Sequence, residues 1–317
     1  MIGEAFMDLV PTADEAMVQA VPAGRALRIA VAAARLGYPV ALMARLSRDR
    51  FGQLLRRHAG QHGVDLSAAP DADEPATLAA PGPAHGPARH LYYAGTADWQ
   101  WTAAELAALP AASSVVYLST LACCLPPAAG RVLRRVARQQ SRGALAVLDV
   151  RAHPEVMQSP GRGRVLLERP ARAADVIRAS AADIGWLYPG RAVEDVARQF
   201  LRLGPRLVVI SRGAAGLLAV RGAGSVLHRP AYPAQVTDPA GAGDAVTAVL
   251  LGRLHALGLA GRRVEDLAGR ELMGLLDQAA LVAGLTCERP GADVPTAVEA
   301  RLALRARPRA GDQALAR

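Results

Sequence analysis

Val115-Val116-Tyr117-Leu118, a helical stretch from Ala128 to Gln140, then Ala144-Leu145-Ala146-Val147-Leu148: the reading of this succession decides the fold. The apolar runs are short and continuous, which marks strands buried on both faces, and the longer Ala/Leu/Arg segment between them reads as an amphipathic helix. The same alternation returns in Asp175-Val176-Ile177, a helical Val193 to Leu203, and Leu207-Val208-Val209-Ile210. Repeated strand and helix units of this kind predict an α/β fold: a doubly wound, mostly parallel sheet with helices on both faces. Ligands on such sheets sit in the crevice beyond the carboxyl ends of the strands, so polar residues are to be sought there.

Two segments break the alternation. Pro11 to Gly24 and Ala76 to Asp98 are richer in Pro, Gly and small polar residues, and the second contains the strand candidate Leu91-Tyr92-Tyr93. They could be loops, or they could form a small β lid, from about 11–24 and 76–98, over a single domain spanning 1–317. If they pair as a sheet, its exposed edge favours a homodimer through the lid. Arg301 to Arg317 reads as a flexible basic tail.

Composition excludes several classes. With 317 residues, 51% of them hydrophobic, the chain can fill a sizeable core. Ala245 to Ala260 is interrupted by Arg253 and His255, short of the roughly 20 apolar residues a membrane span needs. No secretory pattern follows Met1, so the expected compartment is the cytoplasm. Cys123, Cys124 and Cys287 make neither a disulfide framework nor a metal-binding spacing. The formal charge is +9, yet all 37 basic residues are Arg, spread along the chain, and aromatic residues are 4%. Nucleic acid is therefore not an expected partner. His58 and His62 stand at i, i+4 with no evident third ligand for zinc.

The strongest local signal is Asp238-Pro239-Ala240-Gly241-Ala242-Gly243-Asp244, which runs into the helix former Ala245-Val246-Thr247-Ala248-Val249-Leu250-Leu251. The main-chain N–H groups of Gly241, Ala242 and Gly243 would point out of a helix N-terminus, where partial positive charge suits a transferring phosphoryl group. Asp244, in the first turn, could accept the proton of an attacking hydroxyl. By itself the string also reads as a Gly-rich loop capped by Asp244.

In its wider pattern the chain resembles the ribokinase-like (PfkB) carbohydrate kinases, most closely their fructokinase-like branch. The resemblance is carried in order by Gly3 to Val10, Gly24 through Gly37, Arg45 to Gly52, Gly95 to Trp99, Asp175 to Ser180, Arg212 to Gly216 and Cys287 to Asp293. It implies transfer of the γ-phosphoryl group of ATP, carried as the Mg²⁺ complex, to a sugar-type hydroxyl. Asp244 would be the base, with the Gly241, Ala242 and Gly243 amides as the anion hole. Asp8 and Gly24 would meet the sugar. Ser211, Arg212, Gly213 and Gly216 would hold the nucleotide, and Asp183 would order the water around Mg²⁺ without binding it directly. A monovalent cation near Asp238 is a further implication.

The chain departs from the family pattern around the sugar. Where the family has a Gly-Gly opening and a sugar-binding Asn, residues 23–28 read Ala23-Gly24-Arg25-Ala26-Leu27-Arg28, and a second sugar segment reads Asp149-Val150-Arg151-Ala152-His153. Arg28 and Arg151 could form a pocket for an anionic sugar acid or sugar phosphate, since guanidinium forks suit carboxylate and phosphate. They could equally be the residue of a decayed sugar site in a silent homologue that only binds. A nucleoside kinase is a third reading, with Tyr92, Tyr93 and Trp99 lining a slot for the base ring.

Overall fold

In the computed structural model, residues 1–12, 14, 17–81, 89–222, 224–259 and 264–306 are described. The strands are β1 (Phe6–Pro11), β2 (Val18–Ala23), β3 (Leu46–Ser47), β4 (Asp71–Ala72), β5 (Leu78–Pro81), β6 (Arg89–Tyr92), β7 (Val115–Ser119), β8 (Leu145–Asp149), β9 (Val176–Ser180), β10 (Leu207–Ser211), β11 (Leu217–Arg221) and β12 (Ser225–Arg229). The main sheet has the order β12-β11-β10-β9-β8-β7. From β7 to β10 neighbours are parallel, as the apolar runs predict. The antiparallel pair β11 and β12 closes one side. On the other side, single parallel bridges join Leu118 to Ile2 and Ile2 to Met43.

Strand periodicity sorts the side chains into two cores. Tyr117, Leu145, Val147, Val176, Leu207 and Val209 meet the helices Arg25–Arg35, Ala242–Ala256 and Gly269–Cys287. Their alternates Val116, Leu118, Ala146, Leu148, Ile177 and Val208 meet Ala129–Gln140, Pro160–Ala173 and Val193–Leu203. Because successive side chains point to opposite faces, the same rule assigns the polar ends of the strands. Asp149, Arg178, Ser180 and Ser211 share the face of the first core, beneath Arg25–Arg35 and Ala242–Ala256.

Ala242–Ala256 is buried nearly all round, with Ala245, Val246, Ala248, Val249 and Leu250 in the core, so packing rather than amphipathic patterning holds it. At Gly252 a Cβ would overlap the Tyr38 ring. Glycine there lets the ring lie flat against the helix backbone.

A second, four-stranded sheet has the order β2-β1-β5-β6, with β1 antiparallel to β2, parallel to β5, and β5 antiparallel to β6. Ile2 bridges to the main sheet, while Phe6–Pro11 joins the small sheet. Pro11 to Gly24 supplies one arm of a hairpin whose other arm is β1, and 95–98 leave the sheet to end in a turn at Ala97–Trp99. Residues 82–88 of the expected lid, and 13, 15 and 16, lie outside the described residues. At the other terminus, 301–306 are helical within Ala297–Ala306, and 307–317 of the expected tail lie outside the described residues. No helix among the described residues is long and apolar enough to cross a membrane.

Candidate active site

The site starts from two helix N-termini above the carboxyl ends of β8, β9 and β10. Gly241, at φ 78°, ends the approach to Ala242–Ala256 in the left-handed region, and an added Cβ would come 2.6 Å from that of Ala292; glycine suits both demands. Asp244 follows in the first turn and is 4% exposed. Its carboxylate faces the positive end of the helix, where a negative charge is stabilised. Ala242 N–H reaches back to the Pro239 carbonyl at a long 3.4 Å, so one of the three expected amides has an internal partner.

Arg25 and Arg28 lie at i, i+3 on the first turn of the other helix, hence on one face. Cations at a helix N-terminus oppose its dipole, and here carboxylates offset them. Arg25 Nε contacts Asp149 Oδ2 at 2.6 Å, its Nη2 donates to Oδ1 at 3.3 Å, and its Nη1 lies 3.4 Å from Asp244 Oδ1. Arg28 Nε lies 2.8 Å from Asp244 Oδ2, but its N–H makes no directed hydrogen bond there; that pair is held by charge.

Arg178 completes the cluster from below. Residues Asp149 and Arg178 are register partners on β8 and β9, with Nη1 to Oδ1 at 3.4 Å. Arg178 Nη2 donates to the Gly243 carbonyl at 3.0 Å and to Ser211 Oγ at 3.1 Å, tying helix, β9 and β10 together. Burial works to raise the Asp149 carboxyl, but the charges of Arg25 and Arg178 prevail and hold it below the ordinary carboxylate value. Burial likewise opposes the Arg25 charge, and Asp149 with Asp244 more than offset it, keeping the guanidinium firmly protonated. For Arg178 burial wins and its pKa falls.

A cleft of about 930 Å³ opens above this cluster. Of the expected residues it is lined by Asp244, Gly241, Ala242, Gly243, Arg28, Arg151, Asp183, Ser211, Gly213 and Gly216. Asp8, Gly24 and Arg212 do not line it. Asp8 sits on β1 opposite Val21 and Ala79, in the small sheet. At Gly24, with φ 98°, an added Cβ would stand 2.5 Å from the Glu4 carbonyl oxygen, so close packing of the chain on itself already requires glycine there. Arg212 folds onto its own loop, its Nη2 donating to the Ala215 carbonyl at 2.9 Å. Asp183 faces the cleft with both oxygens engaged, one by Ala152 N–H at 2.9 Å and the other by the Ser180 hydroxyl. Asp238 accepts the N–H groups of Ala240 and Gly291, each at 2.9 Å, and so fastens the glycine loop to the segment after Cys287.

Three residues escaped the sequence reading: Arg25, Asp149 and Arg178. The signal was present, because a charged residue inside an apolar strand run, as in Val176-Ile177-Arg178-Ala179, needs a buried counter-charge. Also missed was the apolar end of the cleft, where Tyr232, Pro233, Val236, Leu217, Ala280 and Ala283 converge. Tyr93 and Trp99 meet edge to face with ring centroids 6.4 Å apart, and Trp99 packs with Phe6, Leu91 and Leu121; neither they nor Tyr92 lines the cleft. His58 and His62 touch each other edge-on, and no group of three His, Cys, Asp or Glu among the described residues could hold a metal ion.

The cleft thus lies at the carboxyl ends of the parallel strands β8, β9 and β10, with an acidic residue in the first turn of a glycine-preceded helix and arginines around it. The chain belongs to the family described as pfkB family carbohydrate kinase, whose profile matches residues 1–298. It is 27% identical over 262 residues to a fructokinase of Klebsiella pneumoniae, covering 82% of this chain and 85% of that protein. Among solved structures, a fructokinase from Xylella fastidiosa with bound ATP superposes with a TM-score of 0.86 at 20% identity, covering 96% of this chain and 97% of the other. The aminoimidazole riboside kinase of Salmonella enterica, solved with aminoimidazole riboside and an ATP analogue, gives 0.81 at 24%, covering 96% and 98%.

Proposed function

We propose that the chain transfers the terminal phosphoryl group of ATP to a hydroxyl of a sugar-like acceptor, with Asp244 receiving the hydroxyl proton. The observation that carries this reading is the position of Asp244: in the first turn of Ala242–Ala256, at the cleft, between two arginines. As the acceptor oxygen bonds to the γ-phosphorus, the bond to the ADP oxygen breaks with its electrons, and the acceptor proton passes to Asp244. Amides of the helix N-terminus offset charge on the phosphoryl oxygens. The rest is positioning, which phosphoryl transfer chiefly requires.

The nucleotide half follows from the shape of the cleft. Ser211, Gly213 and Gly216 flank the glycine loop and suit the phosphates, while the apolar end at Tyr232, Pro233 and Ala283 suits a flat base ring. Mg²⁺ would arrive on the nucleotide phosphates, neutralising their charge, with Asp183 facing it through water. That fits the donor set, since Asp183 is the acidic group of the cleft besides Asp244.

Formation of ADP over a panel of sugars, sugar acids and nucleosides tests the reading. Asp244→Asn is expected to lower turnover of the accepted substrate about 10²- to 10⁴-fold, the usual contribution of a general base. A variant within about tenfold of the parent rate refutes the assignment.

A further inference from the structure

The three arginines around Asp244 differ in freedom. Arg25 is fixed by two contacts to Asp149, and Arg178 by Asp149, Ser211 and the Gly243 carbonyl. Both are buried. Arg28 is otherwise placed: its side chain is 35% exposed, it lines the cleft, and its contact to Asp244 at 2.8 Å lacks hydrogen-bond direction. Arg151 lines the same cleft, and its charge contributes to holding down the Asp149 carboxyl.

The Asp244 oxygen that Arg28 covers at 2.8 Å cannot meet an acceptor hydroxyl until that contact opens. Moving Arg28 alone would release Oδ2, while Arg25 stays with Asp149. The Arg28 side chain is partly exposed and its contact to Asp244 carries no hydrogen-bond direction, whereas a carboxylate or phosphate in the cleft offers a guanidinium a bidentate partner. We propose that Arg28 is a latch on the catalytic base, opened by an acceptor that carries a carboxylate or phosphate group. This rests on the kinase reading above. The anionic group draws Arg28 off Asp244, with Arg151 as its second cation, and frees the base in the same movement that seats the hydroxyl. Without such an acceptor, Asp244 stays paired and water is a poor substitute nucleophile, so ATP is spared from hydrolysis.

The latch can be tested without knowing the acceptor, through ADP formation at saturating ATP with water as the nucleophile. The γ-phosphorus then bonds to the water oxygen, ADP leaves with the electrons of the broken bond, and Asp244 takes the water proton. Arg28→Gln is expected to raise this rate about 3- to 10-fold, the factor that matches opening a partly exposed ion pair. Inorganic sulfate should raise the parent rate toward that level and leave Arg28→Gln unchanged, and Arg28→Gln/Asp244→Asn should lose the gain. In a second arm, matched neutral sugar, sugar carboxylate and sugar phosphate are compared as acceptors. The preferred anion should lose about 10- to 100-fold in KM in Arg28→Gln, as expected for a charge-assisted pair. Which anion is preferred separates the two chemistries.

A water-dependent rate in Arg28→Gln equal to the parent's overturns the latch. So does a fall in that rate, the result expected if Arg28 instead clasps the transferring phosphoryl group. An unchanged KM for the anionic acceptor overturns its recognition by Arg28. Binding of an ATP analogue by calorimetry confirms that the variant is folded. Failure of the kinase reading looks different: Asp244→Asn then leaves every acceptor-dependent rate unchanged.

Discussion

Asp149→Asn isolates the electrostatics beneath the site, because asparagine keeps the size of the side chain and removes one charge. The carboxylate is wholly buried and takes Arg25 Nε at 2.6 Å, Arg25 Nη2 at 3.3 Å and Arg178 Nη1 at 3.4 Å. Without it, two buried guanidinium groups lose their shared counter-charge. Removing one partner of a buried ion pair costs about 3–5 kcal/mol, and the amide oxygen retained as an acceptor places this case near about 3 kcal/mol. Against a total stability of about 5–15 kcal/mol, that is a large fraction. Urea unfolding followed by circular dichroism measures it. Arg178→Met alone should also destabilise, since it strips a donor from the Gly243 carbonyl and from Ser211 Oγ. The double variant removes one charge of each sign, so its loss should fall short of the sum by about 1.5 kcal/mol or more. Additive losses, or a loss under about 1 kcal/mol for Asp149→Asn, would refute the claim that the cluster is held by mutual neutralisation.

Three further outcomes follow from other parts of the molecule. Asp98 is buried, with Oδ1 accepting Ala5 N–H at 2.9 Å, and burial pushes its carboxyl up to about 8. The folded chain therefore keeps a proton that the unfolded chain releases, and the associated stability is full below the ordinary carboxylate range and lost as pH rises through about 8. Thermal melts of the parent against Asp98→Asn should diverge by up to about 1.4 kcal/mol per pH unit across that window; a constant offset contradicts the burial argument. Gly252→Ala, which in an exposed helix would stabilise, should instead cost about 1–3 kcal/mol through the overlap with Tyr38, and in the Tyr38→Ala background the same substitution should lose most of its cost in the same unfolding assay. The small sheet leaves Val10, Val18 and Tyr92 exposed, and pairing of two copies there predicts a mass that rises with concentration in light scattering and falls to that of one chain in Val18→Glu. A mass independent of concentration removes that pairing.

The strand and helix rhythm was legible because it is local. Continuous apolar runs such as Leu207-Val208-Val209-Ile210 need no partner in sequence to declare a strand buried on both faces, and β10 is found at Leu207–Ser211. The helix Val193–Leu203 was read with the same bounds it has in the fold. Asp244 was legible for a related reason, since small residues followed by a helix former mark a helix start, and position in its first turn sets where the carboxylate points.

What could not be read was which charges meet. Arg25, Asp149 and Arg178 are separated by 124 and 29 positions, and only the pairing of β8 with β9 and the packing of Arg25–Arg35 over them bring the three together. Nor could the sequence say that Arg28 would rest on Asp244 while Asp8 and Arg212 would stand away from the cleft. Periodicity determines which face of its own element a residue occupies; it carries no information on which element lies opposite. For this chain, sequence alone therefore determined the α/β architecture and the place of Asp244 in the first turn of a helix. Tertiary structure decided the company that residue keeps, because burial forces each charge to find its counter-charge across elements rather than along them.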